Sequence, residues 1–156
     1  MTARTRYLLD TNVLSETRKK QADPQVLAFL TKTPSATLYL SSLSLGELKK
    51  GIALKMKSDP PAGRAIGAWV DGLETHFADR ILGVDTPSAK LWGEWSAQRP
   101  RPVIDTLLAA TAVVHDLVFV TRNESDVQDL PVKVFNPWRK PNYLMPGRAE
   151  AVTKLV

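Results

Sequence analysis

The chain has no cysteine and only two histidines, His76 and His115. The first absence excludes disulfides, thiolate metal sites and a cysteine nucleophile, and suits a reducing compartment. The second makes an imidazole-rich zinc centre improbable, so oxygen ligands and a hard ion such as Mg²⁺ or Mn²⁺ become the expectation for any metal chemistry. No apolar run approaches the roughly 20 residues that a membrane span needs. The first ten residues, MTARTRYLLD, meet an acid after a very short apolar stretch rather than forming a leader. The expected location is the cytoplasm, with no membrane partner.

What the chain does contain is a globular balance, 44% hydrophobic and 24% charged over 156 residues, enough for one core. Twenty-one Lys and Arg against sixteen Asp and Glu leave a net charge of +5, a field that favours a polyanionic partner. The basic residues cluster: Arg4, Arg6, Arg18, Lys19 and Lys20, then Lys49, Lys50, Lys55 and Lys57, then Arg139, Lys140, Arg148 and Lys154. Most such clusters are solvated faces, and they gain interest only from the acids near them.

Tyr7 to Leu9 reads as a short strand, with Asp10-Thr11-Asn12 placed to cap a helix over about 13–19. A helix follows Pro24 and ends near Pro34, and 37–41 is the next strand. Ser44 and Glu47 have capping-box spacing, and Leu45, Leu48, Ile52 and Met56 extend a helix over about 45–57 with Glu47 in its first turn. Asp59, Pro60, Pro61 and Gly63 break it, and Ile66, Trp69, Val70, Leu73 and Phe77 mark a second helix, forming a hairpin outside the sheet.

A strand at 81–84 and a helix from Pro87 lead to the stiff basic turn Arg99-Pro100-Arg101-Pro102. From 103 to 114 almost every position is apolar, small or Thr, with Asp105 as the one charge, which predicts a helix enclosed on several sides. Strands at 117–121 and 132–135 complete the pattern. Strands interleaved with helices predict an α/β sandwich with a mostly parallel central sheet flanked by helices, and ligand sites beyond the carboxyl ends of its strands. The expected domain is 1–138, with 139–156 a basic extension that belongs to it or to its assembly surface.

Asp10, Glu47 and Asp105 each stand at a strand end or near a helix start, so a single parallel sheet would bring all three to one edge. Taken singly, each has a bland reading as a cap or helix-terminal charge. Taken together, clustered carboxylates call for a cation, and one or two hard ions would neutralise charge on phosphoryl oxygens. The four tryptophans, Trp69, Trp92, Trp95 and Trp138, fit core or interface packing better than base stacking, and His115 fits a cap or core partner better than a general base.

The segments YLLDTNVLSE, SSLSLGELKKGI, IDTLLAATAVVHDLVFVTRN and VFNPW give the chain a resemblance, over about residues 6–138, to PIN-domain ribonucleases, specifically VapC-like toxins of toxin–antitoxin pairs. That resemblance implies an endoribonuclease dependent on Mg²⁺, with Mn²⁺ as the alternative, and an RNA substrate. It also implies a cognate antitoxin, a homodimer, and promoter DNA met only through the antitoxin complex. Its acidic positions fall on Asp10, Glu47 and Asp105, with Asn12 as a supporting group. The family often has a fourth acid directly after the Thr-Arg pair, where this chain has Asn123, so the fourth position falls either to Asn123, as a neutral ligand or water holder, or to Asp126, which is favoured because it restores the missing charge, with Thr121 in support. Lys49, Lys50 and Arg122 are the expected RNA contacts, with Arg18, Lys19, Arg99 and Arg101 at the rim.

Three other readings compete. A haloacid-dehalogenase-type phosphatase would need an acid where Asn12 stands. A structure-specific DNA nuclease uses a similar acidic centre, though no separate DNA-clamping domain is evident. A non-enzymatic module binding nucleic acid or protein would use the acids only as caps.

Overall fold

The computed structural model describes residues 4–139, so all but the first residue of the expected 139–156 extension lies outside the described residues. Five strands, β1 (Tyr7–Leu9), β2 (Leu38–Ser41), β3 (Ile81–Leu82), β4 (Val118–Val120) and β5 (Val134–Phe135), form one sheet in the order β3-β2-β1-β4-β5. Every pairing is parallel, with Leu8 opposite Tyr39 on one side and Phe119 on the other. The strands are shorter at their ends than the sequence pattern predicts, since β3 stops at Leu82 and β5 begins at Val134.

Alternation along β1 sorts the core into two layers, because successive side chains of a strand point to opposite faces. Tyr7 and Leu9 pack with Val13 of α1 (Thr11–Glu16), Val26 and Phe29 of α2 (Pro24–Lys32), Leu48 of α3 (Ser42–Ser58) and Val70 of α4 (Pro60–His76). Leu8 and Phe119 face the other way, onto Trp95 of α5 (Thr86–Gln98) and Leu108, Ala109 and Ala112 of α6 (Val103–Val114). The small residues of α6 explain its composition: Thr106, Leu108, Ala109, Ala110, Thr111 and Ala112 are all buried. Each fully buried aliphatic side chain of this kind contributes about 1.5–3 kcal/mol relative to exposure.

The helix starts are set by side-chain oxygens that accept otherwise unpaired backbone N–H groups. Asp23 accepts from Gln25 N, Asp59 from Ala62 N and Asp85 from Ser88 N. Two expectations are corrected here. Ser41, not Ser44, caps α3 by accepting from Leu43 N at 3.0 Å, so the helix begins at Ser42 and Glu47 lies in its second turn rather than in a capping box. Pro60 and Pro61 do not interrupt the chain for long either: both fit the first turn of α4, where a missing N–H costs nothing. Gly63 sits so close to Met56 that a Cβ there would collide with its side chain, which lets α3 and α4 pack as the expected hairpin.

The tryptophans are packed inside the protomer: Trp95 is buried, and Trp69, Trp92 and Trp138 are half-buried. His115 terminates α6, and its Nε2 lies 2.7 Å from Asp85 Oδ2 at the opposite end of the sheet from the acids.

Candidate active site

The chain moves from β1 outward to β2 and β3, then returns through α5 and α6 to β4 on the other side of β1. The crevice between β1 and β4, beyond their carboxyl ends, is therefore the switch point of the sheet, where ligands of parallel α/β folds bind.

Asp10 stands at this point. Its N–H donates to Val120 O at 2.9 Å, carrying the β1–β4 pairing one residue past the strand. Its carboxylate, 2% exposed, accepts Thr11 N on Oδ1 at 2.7 Å and the Thr121 hydroxyl on Oδ2 at 2.8 Å. Burial raises its pKa above the ordinary aspartate value, Glu47 and Asp126 push it the same way, and the two hydrogen bonds pull against them.

Glu47 reaches the same place from the second turn of α3, on an exposed side chain. The Thr11 hydroxyl lies 2.6 Å from Glu47 Oε1 and 2.9 Å from the buried Ser44 hydroxyl. Thr11 can therefore donate to Glu47 while accepting from Ser44. Neither Thr11 nor Ser44 stood out in the sequence as more than a capping residue. A signal existed in the DTN segment, where a hydroxyl residue lies between two candidate site residues at a helix start.

Asp105 occupies the first turn of α6, whose N-cap position is Pro102 with no side-chain cap, so backbone N–H groups there favour a negative charge. That local help is outweighed. Partial burial, then Asp10, Asp126 and Glu47, push the Asp105 carboxyl up to about 6, and a hydrogen bond with Asp126 adds to the rise. Asp126 ends the 3₁₀ turn Glu124–Asp126 that follows β4. Four carboxylates from four separate segments thus lie within electrostatic reach of one another, and Asp105 and Asp126 within hydrogen-bond reach.

The neighbours of Asp126 organise the turn that carries it. Asn123 donates its backbone N–H to the Thr121 hydroxyl at 3.0 Å and accepts from Asp126 N through its carbonyl. Glu124 accepts from Asn136 Nδ2 at 2.9 Å and pairs with Arg139. Asn12 is exposed beside Asp10.

The basic residues singled out in the sequence are exposed or engaged with partners other than the four acids. Lys49 pairs with Asp71 at 3.7 Å, Lys50 is exposed, and Arg122 lies over the Trp138 ring at 5.2 Å. Arg18 lies over Trp69, while Lys19 pairs with Glu16, a buried acid that also accepts Asp23 N and ties α1 to α2. Among the described residues no Lys, Arg or His forms an ion pair with Asp10, Glu47, Asp105 or Asp126.

A donor set of carboxylate oxygens without a protein cation fits a hard divalent ion. Among the described residues no three acids or histidines are set closely enough to cage one unaided.

Comparison with known proteins identifies the family of the fold. The PIN domain matches residues 7–131. The chain is 34% identical over 140 residues to the VapC ribonuclease Y4jK of Sinorhizobium fredii, covering 84% of this chain and 96% of that protein. It is 33% identical over 140 residues to the toxin FitB of Neisseria gonorrhoeae, covering 84% of this chain and 97% of that protein. Its fold matches the solved structure of FitAB bound to the IR36 DNA fragment with a TM-score of 0.78 at 29% identity, over 88% of this chain and 99% of that one. The all-parallel sheet, the acids at its switch point and these matches place the chain in the PIN-domain family, among its VapC-like members.

Proposed function

We propose that this chain is a divalent-metal-dependent endoribonuclease and the toxin of a toxin–antitoxin pair. The observation that carries the reading is the convergence of Asp10, Glu47, Asp105 and Asp126 at one sheet edge with no ion-paired protein cation among the described residues. Like charges gathered this way disfavour the empty, fully ionised site and favour one that a cation completes. The names of the VapC ribonuclease and of the toxin FitB support the activity and the biological role.

In this reading Asp10, Glu47, Asp105 and Asp126 hold Mg²⁺ or Mn²⁺, which when bound neutralises charge building on the scissile phosphate. The chain's own residues provide the geometry. Thr121 and Thr11 lock both oxygens of Asp10, and Thr11 also steadies Glu47. Asp105, its carboxyl pushed up to about 6 by burial and by the neighbouring acids, exchanges its proton readily near neutral pH, where an ion can take that proton's place. Asn12, Asn123 and Thr121 support the acids, and Lys50, Lys49 and Arg122 contact RNA phosphates without selecting bases.

The antitoxin is the second partner. The similar structures of FitAB bound to the IR36 DNA fragment and of DNA-bound VapBC from Salmonella typhimurium support the reading that promoter DNA is met through an antitoxin complex. No helix among the described residues is long and apolar enough to cross a membrane. A homodimer, implied by the family resemblance, is tested by solution mass: a concentration-independent monomer, with and without antitoxin, would reject it.

The decisive test is cleavage of single-stranded RNA by tag-free protein, with Asp105→Asn as the matched control. Chelation should stop cleavage with the fold intact, and Mg²⁺ or Mn²⁺ should restore it. Undiminished cleavage in chelator overturns the metal role. Faster turnover of structured DNA points to a DNA nuclease, and no metal-dependent turnover of either nucleic acid to a binding module.

A further inference from the structure

The turn before α6 and the loop after β4 are joined by one carboxylate. Asp129 accepts Arg99 Nε at 3.2 Å, Arg99 Nη2 at 2.9 Å and Arg101 Nη1 at 3.0 Å, and its Oδ2 forms an ion pair with Arg101 Nη2 at 2.9 Å. Arg101 is itself fixed: its side chain is 1% exposed, and it donates to Trp95 O and Gln98 Oε1, each at 2.9 Å. Pro100 and Pro102 stiffen the turn that presents both arginines. The two guanidinium groups hold the Asp129 carboxyl well below the usual aspartate range, and Asp129 in turn raises Arg99.

The exposed Arg99–Asp129 pair contributes little to stability, whereas the buried Arg101 guanidinium has Asp129 as its carboxylate partner. The cluster also has direction. Arginine forks on a carboxylate fix geometry as well as charge. Each side of the fork sits a few residues from an acid of the centre: Arg101 precedes Asp105 by four positions, and Asp129 follows Asp126 by three. Those two acids repel, and the loop carrying Asp126 has only one 3₁₀ turn of regular structure. Val127 and Leu130 anchor that loop in the core. The fork ties it to the helix start from which Asp105 projects.

We propose that Asp129, clasped by Arg99 and Arg101, is a positioning residue that holds the Asp126 loop against the start of α6 and so sets the spacing between the Asp105 and Asp126 carboxylates for a divalent ion. The proposal rests on the metal-dependent reading above. Asp129 touches neither ion nor RNA and acts through the two segments it joins.

The test is direct Mn²⁺ binding to the full chain, followed by electron paramagnetic resonance of the free ion, beside unfolding of the metal-free protein. Asp129→Asn should weaken Mn²⁺ binding by about ten- to a hundredfold, the range for partners that orient metal ligands, while metal-free unfolding reads separately the stability lost when the buried Arg101 loses its carboxylate. Asp129→Glu should recover part of the affinity, and raised Mn²⁺ should recover RNA cleavage by Asp129→Asn. Arg99→Gln, which leaves the Arg101 contacts in place, should show a smaller loss and serves if Asp129→Asn fails to fold. Unchanged Mn²⁺ affinity in a folded Asp129→Asn protein overturns the positioning role alone. Absence of Mn²⁺ binding by the parent overturns this role and the metal-dependent reading together.

Discussion

The Thr121 hydroxyl donates to Asp10 Oδ2 at 2.8 Å, joining residues 111 positions apart, and the same hydroxyl accepts from Asn123 N at 3.0 Å. One side chain on the end of β4 thus orients the central acid of β1 and starts the turn that leads to Asp126. Thr121 is 1% exposed, so no solvent replaces either bond if it is removed.

Thr121→Val keeps the shape and removes both bonds. It should destabilise the protein by about 1–3 kcal/mol, the cost of leaving buried polar groups unpaired. Asp10 then ionises less readily, so the acid limb of the RNA-cleavage profile should move to higher pH. Denaturant unfolding and a pH–rate profile check both, and an unmoved acid limb would show that Thr121 does not tune Asp10.

Asp105 supplies a pH test of the cluster. Its folded pKa of about 6 lies above the ordinary 3.8, so the metal-free fold binds this proton more tightly than the unfolded chain does. The resulting stability is fully present below the unfolded value and is lost as pH rises through about 6. Asp105→Asn mimics the protonated form. In chelator it should be more stable than the parent near neutral pH, with the advantage shrinking on acidification toward pH 4. Denaturant unfolding of both proteins across that range measures it, and a constant difference would contradict the assigned shift.

Asp126→Asn and Asn123→Ala separate the two candidates for the fourth position. Asn123 meets its neighbours through its backbone, whereas Asp126 faces Asp105. Asp126→Asn should raise the Mg²⁺ requirement for cleavage by about tenfold or more, and Asn123→Ala should be nearly silent. The reverse ranking in a metal titration would assign the position to Asn123.

Leu108, fully buried beneath Leu8 and Phe119 on α6, tests the layer that carries Asp105. Leu108→Ala should cost about 2–5 kcal/mol, with the spread set by how far the helix collapses into the gap. A loss below about 1 kcal/mol on denaturant unfolding would mean that α6 is packed more loosely than its burial implies.

The acids were legible in the sequence because strand ends and helix starts leave strong local marks: an apolar run before Asp10, a lone charge in the apolar stretch around Asp105. The sheet was legible because β-branched and apolar runs alternate with helical periods. What escaped was the pairing of polar groups distant in sequence. Ser44 looked like a cap by spacing, but Ser41 lies nearer the true helix start, and Ser44 turns inward to Thr11. Arg80 had no signature at all, yet its nearly buried guanidinium donates to the Ser35, Leu38 and His76 carbonyls and ties the end of α4 to β2. Periodicity reports which face a residue occupies. It does not report which distant oxygen it will meet.

The strand order has a temporal consequence. Asp10 is made early, but Thr121 and Asp126 arrive only after the chain has laid down β2 and β3, passed through α5 and α6, and returned to the far side of β1. An emerging chain can pair β1 with β2 and still lack half of the acidic centre, because parallel pairings between distant segments form late. The four acids therefore share one sheet edge only in a chain that has been made through the turn after β4.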